Sequence, residues 1–348
     1  MNKEFVVIKM SSIENSLFEF PEMMRKAMKE KLEFEFSEAP RNIVIAGMGG
    51  SAIPGDLLLD LLKLKRLRKM SLEVCRDYNL PEYVNKESLV IVISYSGNTE
   101  ESLSCFEQAI EKGARVLCIT SNGTLETLCE KNKIPLIRIE KNLKPRAALP
   151  FLFISLLKIF EKIANLSYIS NELEESVEIL ERIREKYFTK NKEMKNRGDL
   201  YNIAKCIHKC DAVIIYSPES LRGVATRIKT QINENSKMHS WTSTIPELNH
   251  NELSGWQEVK KSDFAVIFIR DVREDKKIKA RIEYTKRIVK NKAIVKEIKA
   301  IGNSELARLF SLIYQGDLLS LVLAKIRKVN ANEVPLQDKI KEILKRIN

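Results

Sequence analysis

The stretch LVIVISYSGNTEES, Leu89 to Ser102, passes from an apolar run through a hydroxyl-rich loop into a helix start. Leu89–Ile93 has no polar alternation, which marks a strand buried on both faces. Gly97 and Asn98 break the run. After SYSGNTEES a helix is predicted to reach about Lys112. The same plan repeats on either side. Asn42–Ala46 (NIVIA) leads through a glycine-rich turn into a helix over Gly55–Leu64. Leu72–Cys75, Val116–Ile119 and Pro135–Ile139 read as further short strands. Apolar strands alternating with helices predict a parallel sheet covered on both sides, a doubly wound α/β domain.

The pattern restarts after residues 171–200, which read as a highly charged linking helix pair with a polar stretch around Phe188–Asp199. Asp211–Tyr216 opens a new strand, SPES follows as a turn, and a helix starts near Leu221. Phe264–Ile269 and Ile294–Ile298 are the next strands. Two similar doubly wound α/β subdomains are therefore expected. The division is an N-terminal helical extension (1–34), a first subdomain (35–165), a helical linker (166–199), a second subdomain (200–328) and a C-terminal helical tail (329–348). Ser304–Lys325 reads as a long apolar core or dimer-packing helix, because Arg308, Gln315 and Asp317 interrupt it.

Composition excludes several classes. In 348 residues, 44% hydrophobic and 30% charged is a globular rather than a disordered balance. The most apolar stretch, Leu149–Phe160, falls short of the ~20 residues a membrane helix needs. No secretory pattern marks the N-terminus, so a cytoplasmic protein is expected. Lys plus Arg exceed Asp plus Glu by 59 to 47, but the excess is interleaved with acids. Even the dense stretch Arg273–Lys299 carries Glu274, Asp275, Glu283 and Glu297, and reads as a solvated face rather than a nucleic-acid surface. Cys206, His208 and Cys210 form C-x-H-x-C, yet a helix spreads these positions around its circumference and no second cluster completes four ligands. No metal and no cofactor are expected.

Two loops carry the candidate chemistry. Gly47-Met48-Gly49-Gly50-Ser51-Ala52 follows a strand and precedes a helix. It matches G-x-G-x-x-A, and its glycines let backbone approach an anion. Alone it leaves a nucleotide and a simple phosphate equally open; Asp77, preceded by Arg76, is the one nearby acid for a ribose. The second loop favours phosphate. Ser94, Ser96 and Thr99 bring three hydroxyls to the N–H groups of a helix start, giving a phosphate monoester donors without lysine or metal. Thr99 or Asn98 could instead serve as an N-cap. Thr120-Ser121-Asn122-Gly123 adds polar groups at a third strand end.

Strand–GMGGSA–helix followed by strand–SYSGNTEES–helix resembles the sugar isomerase (SIS) domain, and its duplication resembles the phosphoglucose isomerase superfamily. KPRAALP (144–150), KTQINENSK (229–237) and PELNHNELSGW (246–256) narrow the resemblance to the bifunctional phosphoglucose/phosphomannose isomerases of archaea and some bacteria. That resemblance implies a metal-free aldose–ketose isomerase acting on a sugar phosphate, with phosphate held by Gly49, Gly50, Ser51, Ser94, Ser96 and Thr99.

Isomerisation through a cis-enediolate needs one carboxylate to shuttle a proton. Glu234, between Asn233 and Asn235, matches the family's base, and a plain surface acid is the alternative. By the same resemblance His250 opens the sugar ring and comes from the other subunit of a homodimer. Arg146 matches the family's active-site arginine, and the C-terminal lysine falls at Lys341, with Lys339 as competitor. Glu247 and Glu252 flank His250 and could orient it or serve the turn. The rival readings are a non-catalytic sugar-phosphate sensor, which has no need of Glu234 with His250, and a nicotinamide-dependent oxidoreductase using the G-x-G-x-x-A turn.

Overall fold

The computed structural model describes residues 12–32, 34, 38–67, 71–164 and 169–344. Parts of the expected N-terminal extension (1–11 and 33), first subdomain (35–37, 68–70 and 165), linker (166–168) and tail (345–348) lie outside the described residues. The chain forms two compact units, one up to Glu181 with Gly302–Leu309 and the other Arg182–Ile301 with Phe310 onward.

The first unit contains α1 (Ile13–Phe18), α2 (Phe20–Lys29), β1 (Asn42–Ala46), α3 (Ile53–Leu64), β2 (Ser71–Cys75), β3 (Ser88–Ser94), α4 (Glu100–Glu111), β4 (Arg115–Thr120), α5 (Thr124–Asn132), β5 (Leu136–Arg138), α6 (Leu149–Ala164) and most of α7 (Ile169–Tyr187). Its sheet is parallel, in the order β2-β1-β3-β4-β5. β3 is buried along its whole length, as its unbroken apolar run demands of a central strand. Strand order reverses between β1 and β3. Ligands of open α/β sheets bind at such a switch point, outside the carboxyl ends of the strands, and these two strands carry the glycine-rich and hydroxyl-rich loops.

The second unit contains α8 (Asp199–Ile207), β6 (Ala212–Pro218), α9 (Arg222–Ser236), β7 (His239–Ile245), β8 (Phe264–Arg270), α10 (Lys276–Val289), β9 (Ile294–Lys299), the larger part of α11 (Glu305–Arg327) and α12 (Pro335–Leu344). This sheet is also parallel, in the order β7-β6-β8-β9. The path from β6 to β7 moves one way across the sheet and the later crossovers move the other. Right-handed connections therefore put α9 on one face and α10 on the other. The core agrees: Leu248 and Trp256 pack with Ile282 and Val289 of α10 over Tyr216 and Phe268. On the opposite side a buried ion pair, Arg227 Nη2 to Asp317 Oδ2 at 2.8 Å, fastens α9 to α11.

Both sheets are the doubly wound α/β arrangement expected. Two local features differ. β7 was not anticipated; its sequence HSWTSTI has no apolar run because an edge strand leaves His239 and Trp241 exposed. β6 runs on through Ser217–Pro218, where a turn was expected, because those residues pair with Thr244 and Ile245 of β7. The expected linking helix pair is α7 and α8, and in the polar stretch between them the Phe188–Met194 bridge turns the chain back. Finally, α11 has the length and hydropathy of a membrane span, yet 83% of its apolar window is buried inside the protein. It is a core helix.

Candidate active site

After β1 the chain makes a 3-10 turn over Gly49–Ser51 before α3. A Cβ on Gly47 would lie 2.9 Å from the carbonyl oxygen of Ile93, so only glycine fits beneath the next loop. Ser51 is buried, and its Oγ accepts a 3.1 Å hydrogen bond from the Tyr95 amide. Its own hydroxyl proton is left to donate.

In the second loop, Ser94 is fully buried and donates to Thr99 Oγ1 at 3.0 Å. Thr99 occupies the N-cap position of α4, but its side chain makes no capping bond. The hydroxyl is thus oriented by Ser94 rather than spent on the helix, and the first N–H groups of α4 lack a side-chain cap. Ser96 is exposed and accepts from the Asn98 amide at 3.3 Å. Asn98 caps the next helix instead, its Oδ1 accepting from both the amide and the hydroxyl of Thr124 at 2.9 Å. Gly97 has φ +67°, and a Cβ there would fall 1.7 Å from the carbonyl oxygen of Asn122. The hydroxyl loop rests directly on the third strand-end turn.

Arg146 lies in the 3-10 turn Pro145–Ala147 and is buried. A Cβ at Gly50 would be 3.5 Å from the Arg146 Cα, so the arginine's backbone borders the glycine turn. The first unit therefore brings together Gly49, Gly50, Ser51, Ser94, Ser96, Thr99 and Arg146. Tyr95, which sequence reasoning passed over, joins these pieces: besides the Ser51 bond, its hydroxyl accepts from the Leu143 amide at 2.8 Å and donates to the Glu140 carbonyl at 3.1 Å. Burial pushes its phenol pKa up. Asp77 is occupied locally, accepting from the Asn79 amide at 3.2 Å, while Arg76 pairs with Asp56.

In the second unit, Glu234 sits half-buried in the last turn of α9, whose neighbouring residues face α11. The turn is fixed by Asn235 Nδ2 donating to Ser320 Oγ at 2.9 Å and Ser236 Oγ donating to the Ser320 carbonyl at 2.7 Å. Lys237 Nζ bonds the Glu234 carbonyl and, at 2.6 Å, that of Glu333, which lies just ahead of α12. Lys341 on α12 is exposed and pairs loosely with Asp338 at 3.7 Å; Lys339 is exposed too.

His250 follows the 3-10 turn Glu247–Asn249 and is exposed. Its loop belongs to the α10 face, where Asn249 Nδ2 donates to Thr285 Oγ1 at 2.7 Å. Glu234 and His250 of one chain are thus separated by the sheet. Both neighbouring acids serve the loop: Glu247 accepts from Asn251 Nδ2 at 2.7 Å, and Glu252 accepts from the Tyr216 hydroxyl at 2.6 Å. In the C-x-H-x-C stretch, His208 Nδ1 lies 2.8 Å from the Lys205 carbonyl. Among the described residues no group of three or more His, Cys, Asp and Glu could hold a metal ion.

Residues 35–141 match the SIS domain family, and residues 172–344 match the family described as Bacterial phospho-glucose isomerase C-terminal SIS domain. A bifunctional phosphoglucose/phosphomannose isomerase of Caldicellulosiruptor bescii is 38% identical over 95% of this chain and 98% of its own. One from Thermoplasma acidophilum is 35% identical over the same shares, 95% and 98%. Among solved structures, glucosamine-6-phosphate deaminase of Thermotoga maritima aligns with TM-score 0.68 at 16% identity, covering 93% of this chain and 98% of that one, a likeness of fold alone. On the strength of the sequence relatives, the chain belongs to the bifunctional phosphoglucose/phosphomannose isomerase family.

Proposed function

We propose that this protein interconverts fructose 6-phosphate with glucose 6-phosphate and mannose 6-phosphate through a cis-enediolate. The observation that carries the reading is the hydroxyl cluster of Ser51, Ser96 and Thr99 at the switch point of the first sheet, beside an uncapped helix start. It suits a phosphate dianion, with Ser94 acting through its bond to Thr99. Gly49 and Gly50 let backbone approach the same anion.

In this reading His250 protonates the ring oxygen as the anomeric hydroxyl loses its proton, which opens the ring. Glu234 then takes a proton from C1 of the ketose, or C2 of the aldose, and returns it to the adjacent carbon. Arg146 and Lys341 stabilise the charge on the enediolate oxygen. The separation of Glu234 and His250 by one sheet favours a homodimer in which each chain's His250 serves its partner's site. No metal or nicotinamide takes part, and the reaction calls for no membrane or nucleic acid; a cytoplasmic setting suits it.

Incubating purified protein with fructose 6-phosphate tests the reading. Glucose 6-phosphate and mannose 6-phosphate should both accumulate without added nucleotide. Tight binding without turnover would return the sensor reading, and turnover only with a nicotinamide cofactor the oxidoreductase reading.

A further inference from the structure

β5 ends at Arg138, and the chain then leaves the sheet on its way to Arg146. The Ile139 amide still bonds the Thr120 carbonyl at 3.0 Å, but beyond it the backbone has no strand beside it. The Tyr95 phenol takes the place of that missing neighbour. It donates to the Glu140 carbonyl at 3.1 Å and accepts from the Leu143 amide at 2.8 Å, so one buried hydroxyl satisfies two backbone groups of the strap. The other end of Tyr95 is equally committed. Its amide donates to Ser51 Oγ at 3.1 Å, and its carbonyl accepts from the Ser121 amide at 3.2 Å and the Ser121 hydroxyl at 2.6 Å. Arg146 lies three residues beyond Leu143, with its backbone against Gly50.

We propose that Tyr95 is a positioning residue that holds Arg146 in register with the phosphate loops, its backbone fixing the loops and its hydroxyl fixing the strap that carries the arginine. The inference rests on the isomerase reading above. It divides the residue's two ends by function. Losing the hydroxyl frees the strap and leaves the Ser51 bond in place, because that bond comes from the Tyr95 amide, while the phenol's link to the loops is with the Ser121 side chain of the third turn.

A double-mutant cycle with Tyr95→Phe and Arg146→Ala tests this, with inhibition by inorganic phosphate and the thermal midpoint followed alongside. Tyr95→Phe should lower kcat by about tenfold to a hundredfold, the scale of a misplaced catalytic group. KM and the phosphate inhibition constant should stay within about twofold, since phosphate anchorage is untouched. In the Arg146→Ala background the Tyr95 change should have almost no further effect, because the two act through one interaction. Additive losses, an unchanged kcat, or a loss of phosphate affinity equal to the loss of kcat would overturn the proposal.

Should Tyr95→Phe fail to fold, Asn142→Ala replaces it. Asn142 is exposed and holds φ +65° in the strap, so alanine strains the strap without opening the core. The same kcat-only loss, absent in the Arg146→Ala background, is expected; normal turnover would contradict the proposal. A wild-type protein with no isomerase activity overturns the isomerase reading and takes this inference with it. An active wild type with an additive cycle overturns the inference alone.

Discussion

Glu234 and His250 of the same chain lie on opposite faces of one parallel sheet, Glu234 at the end of α9 and His250 in a loop packed on the α10 side. A single hexose phosphate in one chain cannot touch both across a sheet with a packed layer on each face. If both residues act on one substrate, a second chain supplies one of them.

Mixing Glu234→Gln and His250→Ala chains checks that consequence. Each alone should be inactive. Random pairing makes about half the dimers mixed, each with one intact site of two, so roughly a quarter of wild-type activity should return under two-fold pairing. Verified subunit exchange without recovery would remove His250 from the shared site.

The C-terminal helix offers a cleaner separation of folding from chemistry. α12 contributes no buried residue, and the ion pair of Lys341 with Asp338 is solvent-exposed at 3.7 Å, a type worth little to stability. Truncation after Val334 should leave the unfolding midpoint in urea nearly unchanged. It should nonetheless cut turnover on the order of a hundredfold, as loss of one charge-stabilising group does. Lys341→Ala should reproduce the truncation and Lys339→Ala should not; the reverse result moves the assignment by two residues.

Gly97→Ala probes the phosphate loop. The residue holds φ +67° and its Cβ would strike the Asn122 carbonyl, so the loop must shift off the third turn. With strain of ~1–3 kcal/mol, affinity for inorganic phosphate measured by calorimetry should fall by about tenfold or more. Wild-type affinity would mean that the anion sits elsewhere.

Acid should loosen the start of α11. Glu175 Oε1 and Oε2 accept from the amides of Asn303 and Ser304 at 2.7 and 3.0 Å. Burial alone would raise this carboxyl, but the bonds from Ser304 and Asn303 outweigh it and leave the pKa below the usual carboxylate range. A carboxylate depressed in the folded state contributes stability above its unfolded pKa and loses it as pH falls through the folded one. Glu175→Gln should cost about 1 kcal/mol at pH 7, the typical worth of a helix cap. Urea unfolding between neutral pH and pH 3 should show the difference from wild type shrinking toward acid. A difference that stays constant with pH would rule out the carboxylate as its source.

The sequence exposed the first sheet readily because β1, β3 and β4 are central strands with unbroken apolar runs. β7 stayed hidden because an edge strand shows half its residues to water, and His239 and Trp241 break the expected pattern. Without β7 the order of the second sheet could not be drawn, nor the opposition of Glu234 and His250. The hydroxyl loops were legible as local motifs, whereas the division of labour between Ser94, which is buried and orients Thr99, and exposed Ser96 depends on burial. Tyr95 had no local signal at all, since its partners Glu140 and Leu143 lie more than forty residues away.

The central claim is that Glu234 moves a proton between adjacent carbons of a phosphorylated sugar. Following fructose 6-phosphate by NMR in deuterated water, with wild type and Glu234→Gln side by side, tests it most directly. The account predicts deuterium at C2 of part of each aldose phosphate with wild type, from exchange on the Glu234 carboxyl before it returns its proton. It also predicts product formation and solvent exchange slowed about a hundredfold to ten-thousandfold in the variant, the span of a lost general base. A Glu234→Gln protein that forms aldose phosphate and exchanges as fast as wild type would contradict it.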